Sequence, residues 1–289
     1  MPESYAHPEV LVSTDWVAEH LDDPSIAIVE VNTDLQTGYY EGHVPGAVGW
    51  NLHTDLEDQT RRDIPTISQW ERLLGRSGID NDTVVVLYGD GNNRPATWAL
   101  WILKYHRHRD VRIMNGGRRK WIDEGRPVST ETPNPTPKTY KAGLPDKSLR
   151  ATKEHIVSNL RSPSMRLLDT RTYEEYSGQA VESQGTPNPG ILRSGHIPGA
   201  VHVPWDEGAA EDGPFKPADE LSRIYQQKGL RPDQEVVPYC RLGIRSSYSW
   251  FVLKYLLGYS SVRNYDGSWT EWGNSVGVPI ETGTPPNRE

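Results

Sequence analysis

The feature that most constrains this chain is that it is one unit written twice. Ser13 to Glu30 lies on Thr152 to Asp169 without a gap, with Leu21 on Leu160 and Pro24 on Pro163. His43-Val44-Pro45-Gly46-Ala47 answers His196-Ile197-Pro198-Gly199-Ala200, and Leu103-Lys104-Tyr105 answers Leu253-Lys254-Tyr255. Asn115-Gly116-Gly117 falls on Tyr265-Asp266-Gly267, and Gly125-Arg126-Pro127-Val128 on Gly277-Val278-Pro279-Ile280. A period of about 150 residues is that of a duplicated domain, because stacked solenoid repeats recur at roughly 20–50. Between the copies, Thr132 to Leu149 carries Pro133, Pro135, Pro137 and Pro145 with little apolar periodicity, which favours an extended linker. The sequence therefore divides into a first domain over 1–130, a linker over 131–149 and a second domain over 150–289.

Each copy alternates strand and helix signals. In the second, Thr152 caps a helix reaching Leu160, Met165 to Asp169 is a short apolar strand, and Val201 to Val203 is another. Ala218 to Lys228 reads as a helix, Glu235 to Tyr239 as a strand, Ser247 to Leu257 as a helix stopped by Gly258, and Val262 to Tyr265 as a last strand. This alternation predicts an α/β fold: two tandem domains, each a doubly wound, mainly parallel sheet with helices on both faces. Ligands of such sheets sit at the carboxyl ends of the strands. Pro238 interrupts the pattern; without a backbone N–H it should face a bulge or an unpaired position.

Composition narrows the function classes. The 289 residues carry a formal charge of -8, which argues against a general nucleic-acid binder and makes any anion recognition local. A single cysteine excludes an intramolecular disulfide and a multi-cysteine metal site. No stretch approaches the length of a membrane span, and Met1 to Val12 lacks the charged and apolar regions of a secretion signal. A cytoplasmic protein that binds neither membrane nor nucleic acid, with no metal or cofactor, is the expectation. A monomer is favoured, because a fused pair can bury its own interface.

That lone cysteine lies in Pro238-Tyr239-Cys240-Arg241-Leu242-Gly243-Ile244-Arg245, at the end of one strand and before a helix. A buried structural thiol needs neither a glycine nor two arginines beside it. A thiol at a strand's carboxyl end, near a helix N-terminus and flanked by guanidinium groups, suits a reactive nucleophile. Lowering a thiol pKa from ~8.5 to ~6.5 raises the thiolate about 25-fold at pH 7, and weaker nucleophilicity returns about 8-fold. Thiolate formation is thus the minor service. The larger one is holding an anionic substrate and stabilising charge as its bond breaks. The loop predicts a small, doubly charged substrate centred on sulfur or phosphorus. Phosphatases that form a cysteinyl-phosphate space Cys and Arg one residue further apart, and the tighter ring here suits a sulfur atom.

The two His-x-Pro-Gly-Ala boxes, Leu168-Asp169-Thr170-Arg171, the Cys-Arg-x-Gly-x-Arg loop and Asp266-Gly267-Ser268-Trp269 resemble the two-domain rhodaneses, the thiosulfate sulfurtransferases. The chain is especially similar to the actinobacterial-type branch, whose loops read Cys-Arg-Ile-Gly-Glu-Arg. The resemblance covers nearly the whole chain. It implies ping-pong transfer of sulfane sulfur from thiosulfate to cyanide or another thiophile through a Cys240 persulfide, with release of sulfite. It further implies substrate contacts from Arg171, Arg241, Leu242, Gly243, Ile244 and Arg245. Leu242 departs from members that carry a lysine there. Mercaptopyruvate-type loops read Cys-Gly-x-Gly-x-Thr without cations, so Arg241 and Arg245 favour thiosulfate over 3-mercaptopyruvate. Delivery of the persulfide to a partner protein or thiol is the alternative from another class.

In the first copy Gly89 falls on Cys240, Asp90 on Arg241, and Arg94 keeps the offset of Arg245 from the preceding tyrosine. The first domain is therefore expected to be non-catalytic. His43 and His196 read as turn residues. Arg118-Arg119-Lys120 reads as a solvated face, and the insertion from Gln179 to Arg193 as a loop near the active edge.

Overall fold

The computed structural model describes residues 4–180 and 191–283, so the central part of the 179–193 insertion lies outside the described residues. Nine strands are assigned among them: β1 Leu11–Val12, β2 Ile26–Asn32, β3 Val48–Asn51, β4 Val84–Tyr88, β5 Val111–Met114, β6 Met165–Asp169, β7 Val201–His202, β8 Glu235–Tyr239 and β9 Ser261–Val262. The α-helices are α1 Thr14–Glu19, α2 Leu52–Asp55, α3 Ile67–Arg76, α4 Arg94–Tyr105, α5 Gly117–Asp123, α6 Lys153–Asn159, α7 Tyr173–Ser177, α8 Ala218–Gln227, α9 Ile244–Phe251 and α10 Ser268–Trp272.

The strands form two sheets, β1-β5-β4-β2-β3 and β7-β6-β8-β9, in which every strand pairing is parallel. This is the predicted α/β architecture, and its cause is legible in the strands. Val85, Val86, Leu87 and Tyr88 are all fully buried, because helices cover both faces of the sheet. Val86 and Tyr88 pack with Val17 of α1 and Trp121 of α5, while α4 lies against β2, β4 and β5. In the second sheet Leu167, Val237 and Tyr239 pack with Ile156 of α6 and with Trp269 and Trp272 of α10.

Contacts divide the chain into two units. One holds Pro8–Asp146 together with Ala209–Phe215; the other holds the residues up to His7, Lys147–Gly208 and those from Lys216 onward. The proline-rich segment read as a linker therefore runs with the first unit as far as Asp146. Its backbone groups find partners there: Lys138 N–H donates to Gly75 O, Gly143 N–H to His106 O, and Lys141 O accepts from Asn81 Nδ2. A short arm from the second half joins the same unit, where Phe215 N–H donates to Asn115 Oδ1 at 3.0 Å.

One local expectation is revised and another is narrowed. The helix after the cysteine starts at Ile244, three residues earlier than its apolar pattern suggested, and passes into a π-helix over Val252–Leu256. Arg245 and Ser246 thus belong to its first turn. Pro238 makes no bulge and sits in register opposite Leu168. Pairing of β8 with β9 stops at Val236↔Val262 and resumes at Tyr239↔Tyr265, so the gap falls where proline lacks its donor.

Candidate active site

The parallel register of β6 and β8 sets Asp169 beside Tyr239, and both chain segments then leave the sheet at the same edge. Four residues, Cys240 to Gly243, separate β8 from α9. Gly243 caps the helix with φ 93°, a left-handed conformation that a side chain would strain. That turn aims the Gly243 N–H back at Cys240 Sγ, 3.1 Å away.

The sulfur is 1% exposed. Burial pushes the thiol pKa up. The Arg245 charge, the amides of Ser246 and Leu242 and the Ser246 hydroxyl outweigh burial, so the thiol sits below its ordinary value. The amides of Leu242, Gly243 and Ser246 thus act on the sulfur, and the cation whose charge acts on it is Arg245. The Ser246 hydroxyl lies within bonding distance of Asn264 Oδ1 and Gly243 O, either of which can take its one proton, and Asn264 Nδ2 donates to Gly243 O, which fixes the loop's far end.

Asp266-Gly267-Ser268-Trp269 braces the near end. Ser268, at φ 52°, accepts the Cys240 N–H on its hydroxyl at 3.0 Å. The Trp269 and Thr270 amides donate to the Cys240 and Arg241 carbonyls, and the Thr270 hydroxyl adds a 2.7 Å bond to Arg241 O. Asp266 itself is held bidentately by Arg150. Arg241 is buried, Leu242 is half-buried, and Ile244 opens α9.

Two of the arginines expected to contact substrate have internal partners. Arg245 is paired bidentately with Glu175, Nη1 to Oε2 at 2.7 Å and Nη2 to Oε1 at 2.9 Å. Burial pushes the Glu175 carboxyl up, and its bonds to Arg245 and that cation's charge bring it below the usual range. Arg171, read from the resemblance as a substrate contact, is only 1% exposed. Its guanidinium grips Asp169 through Nε and Nη2, donates to Gly195 O at 2.7 Å, and lies 4.5 Å from the Trp269 ring centroid. In this geometry Arg171 braces Asp169 internally, because a buried aspartate at a strand end needs a cation of its own.

Glu175, Ser246, Asn264 and the Ser268 hydroxyl were not singled out from the sequence. Only Glu175 had a signal, as the fourth residue of Thr172-x-x-Glu175, a capping box whose two reciprocal bonds are both formed at the start of α7.

The remaining candidates are structural. His43 Nδ1 bonds Tyr39 O and stacks on the Tyr39 ring at 3.9 Å; His196 does the same with Tyr176 at 3.8 Å. In the basic run, Arg118 turns inward to Gly38 O and Gly42 O, Arg119 donates to Glu211 O, and Lys120 pairs with Glu124. Among the described residues no group of His, Cys, Asp and Glu could hold a metal ion, and no helix is long and apolar enough to cross a membrane.

A family model for the rhodanese-like domain matches residues 13–124 and 152–275. The chain belongs to the rhodanese family. Among its relatives, the Sulfur carrier protein TtuD of Thermus thermophilus is 49% identical over 96% of this chain and 99% of its own. A Saccharopolyspora erythraea protein with a provisional thiosulfate sulfurtransferase name is 44% identical over 94% and 96%. Among solved structures, the anaerobic ergothioneine biosynthesis enzyme from Chlorobium limicola, in complex with trimethyl histidine, superposes with a TM-score of 0.87. It is 26% identical, and the match covers 97% of this rhodanese and 72% of that chain. A variant of EanB with a cysteine persulfide and ergothioneine gives a TM-score of 0.85 at 26% identity, covering 97% of this chain and 72% of its own.

Proposed function

We propose that the chain is a thiosulfate sulfurtransferase whose C-terminal domain, over 150–289, is catalytic and whose N-terminal domain, over 1–130, is not. The observation that carries this reading is the bond from Gly243 N–H to Cys240 Sγ in a loop that lowers the thiol pKa. The Cys240 thiolate attacks the outer sulfur of thiosulfate. The S–S bond breaks, its electron pair leaves with sulfite, and Cys240 keeps a persulfide. Cyanide or another thiophile then takes the outer sulfur, and the electron pair of that S–S bond returns to Cys240 as thiolate. The loop amides of Leu242, Gly243 and Ile244 surround the charge in both half-reactions, with Arg241 and Arg245 as the cations.

A second reading, a carrier that hands the persulfide to a partner protein or thiol, is favoured by the relative named as a sulfur carrier. Intact mass decides between them. Thiosulfate should add one sulfur atom to the wild type and none to Cys240→Ser. Rapid loss of that sulfur to cyanide as thiocyanate supports the enzyme. A persulfide that turns over with no small thiophile supports the carrier, and no mass gain sinks both. Greater kcat/KM with 3-mercaptopyruvate than with thiosulfate would reassign the donor.

A further inference from the structure

Arg245 is half of a neutral pair, and this changes what the loop can select. Arg245, the cation whose charge lowers the Cys240 thiol, is bound at both terminal nitrogens by a carboxylate that is itself 1% exposed. The same Glu175 Oε2 that receives Arg245 Nη1 also accepts the Thr172 N–H at 3.1 Å, and the Glu175 N–H returns a bond to the Thr172 hydroxyl. One side chain therefore joins the end of β6, the start of α7 and the cysteine loop. A bidentate fork fixes the guanidinium plane, and a negative charge one residue behind the cation offsets its attraction for an incoming anion.

We propose that Glu175 is a positioning and selectivity residue of the cysteine loop: it orients Arg245 and holds down the loop's positive potential, which weakens selection for small dianions relative to less charged sulfur donors such as persulfides. The inference rests on the nucleophilic role of Cys240 given above, and it names the donor class that role leaves open. Dianions are affected most because the opposing charge acts on them twice over. A singly charged persulfide loses half as much, and a neutral reagent loses nothing directly.

Glu175→Gln is the informative variant, because glutamine keeps the side chain's length and one acceptor. The fold already uses that arrangement: Gln69 closes the capping box of Thr66 at the start of α3. The probe is iodoacetamide, which reads the single cysteine whether or not the protein transfers sulfur. In Glu175→Gln the alkylation pH profile should move to lower pH by about half a unit to one unit. Sulfate should protect Cys240 about tenfold more tightly than in the wild type, and KM for thiosulfate should fall by a similar factor. Thr172→Ala is the control for a purely structural role. It removes the cap hydroxyl and leaves the Glu175–Arg245 pair, so it should lower the melting temperature while keeping the wild-type pH profile and sulfate protection.

An unchanged profile and unchanged sulfate protection in Glu175→Gln would overturn the proposal. So would a Thr172→Ala protein that reproduces the shifts, since Glu175 would then act only through its helix. Failure of the sulfurtransferase reading looks different: thiosulfate would add no sulfur to the wild type, while the alkylation and sulfate arms would still report on Glu175.

Discussion

The loops that leave β4 and β8 begin from the same frame and end with opposite electrostatics. Five residues, Gly89 to Asn93, join β4 to α4, against four between β8 and α9. Arg94 consequently opens its helix, whereas Arg245 is the second residue of its own, so equal distance from the strand does not give equal placement. The larger difference lies at the neighbouring strand end. Asp169 keeps its carboxyl below the usual range, because Arg171 outweighs the cost of burial. Glu30 holds the same place on β2, but Asn32 stands where Arg171 would be, and burial lifts its carboxyl to about 7. Where the second unit has the Ser268 hydroxyl under Cys240, the first has Arg118, which lies 3.8 Å from both Glu30 and Asp90. One unit keeps a cation inside for its aspartate and leaves the loop's amides to the sulfur. The other uses its arginine to fill the corresponding region.

The sharpest way to break this comparison is to try to revive the first loop. A Cβ at Gly89 would come 2.2 Å from Val31 O, a backbone atom that cannot move aside cheaply. Gly89→Cys in a Cys240→Ser background should therefore take up no sulfur from thiosulfate, a complete loss relative to the wild type by intact mass. Recovery of the persulfide would mean that only the missing thiol silences the first unit. Arg245→Ala probes the other loop. It should slow reaction with thiosulfate on the order of 100-fold, and alkylation by iodoacetamide at neutral pH by only a few-fold, since thiolate formation gives the smaller gain. Equal losses in both reactions would assign Arg245 to the thiolate alone.

Reading the chain as a duplication placed the parallel sheets, the cysteine at the end of β8 and Gly243 at the turn, because periodicity and glycine chemistry are local. Less legible were the pairings between segments distant in sequence. Arg171 and Asp169 sit two residues apart, yet nothing in their spacing says that Gly195 O and the Trp269 ring close around the guanidinium. Glu175 announced a helix cap but not its second task, which depends on Arg245 arriving from 70 residues away. Ser268 was read as part of a turn, and its bond to the Cys240 N–H follows only once α10 docks beside the loop. The linker's attachment was hidden for a related reason: a proline-rich segment shows no periodicity even where its amides and carbonyls bond to the unit it crosses, as at Lys138, Lys141 and Gly143.

The smallest expected effect concerns Glu30. Its Oε1 accepts from Asn32 Nδ2 at 2.7 Å, and its buried Oε2 has no hydrogen-bond partner. Tyr88 and Arg118 favour the carboxylate, while burial and Asp90 oppose it. A carboxyl raised from its ordinary value of 4.5 to about 7 binds its proton more tightly in the folded state. Its stabilisation is then complete below about pH 4.5 and is lost as pH rises through about 7, the reverse of a salt-bridged carboxylate such as Asp169. The full span corresponds to roughly 3 kcal/mol in the first unit. Glu30→Gln keeps the bond from Asn32 and cannot ionise. Its melting temperature should match the wild type near pH 4 and exceed it at pH 8, by roughly 10 °C in a unit of this size. Parallel melting curves for the two proteins across that range would show that Arg118 already compensates the charge, and the contrast between the two strand ends would reduce to the missing cysteine.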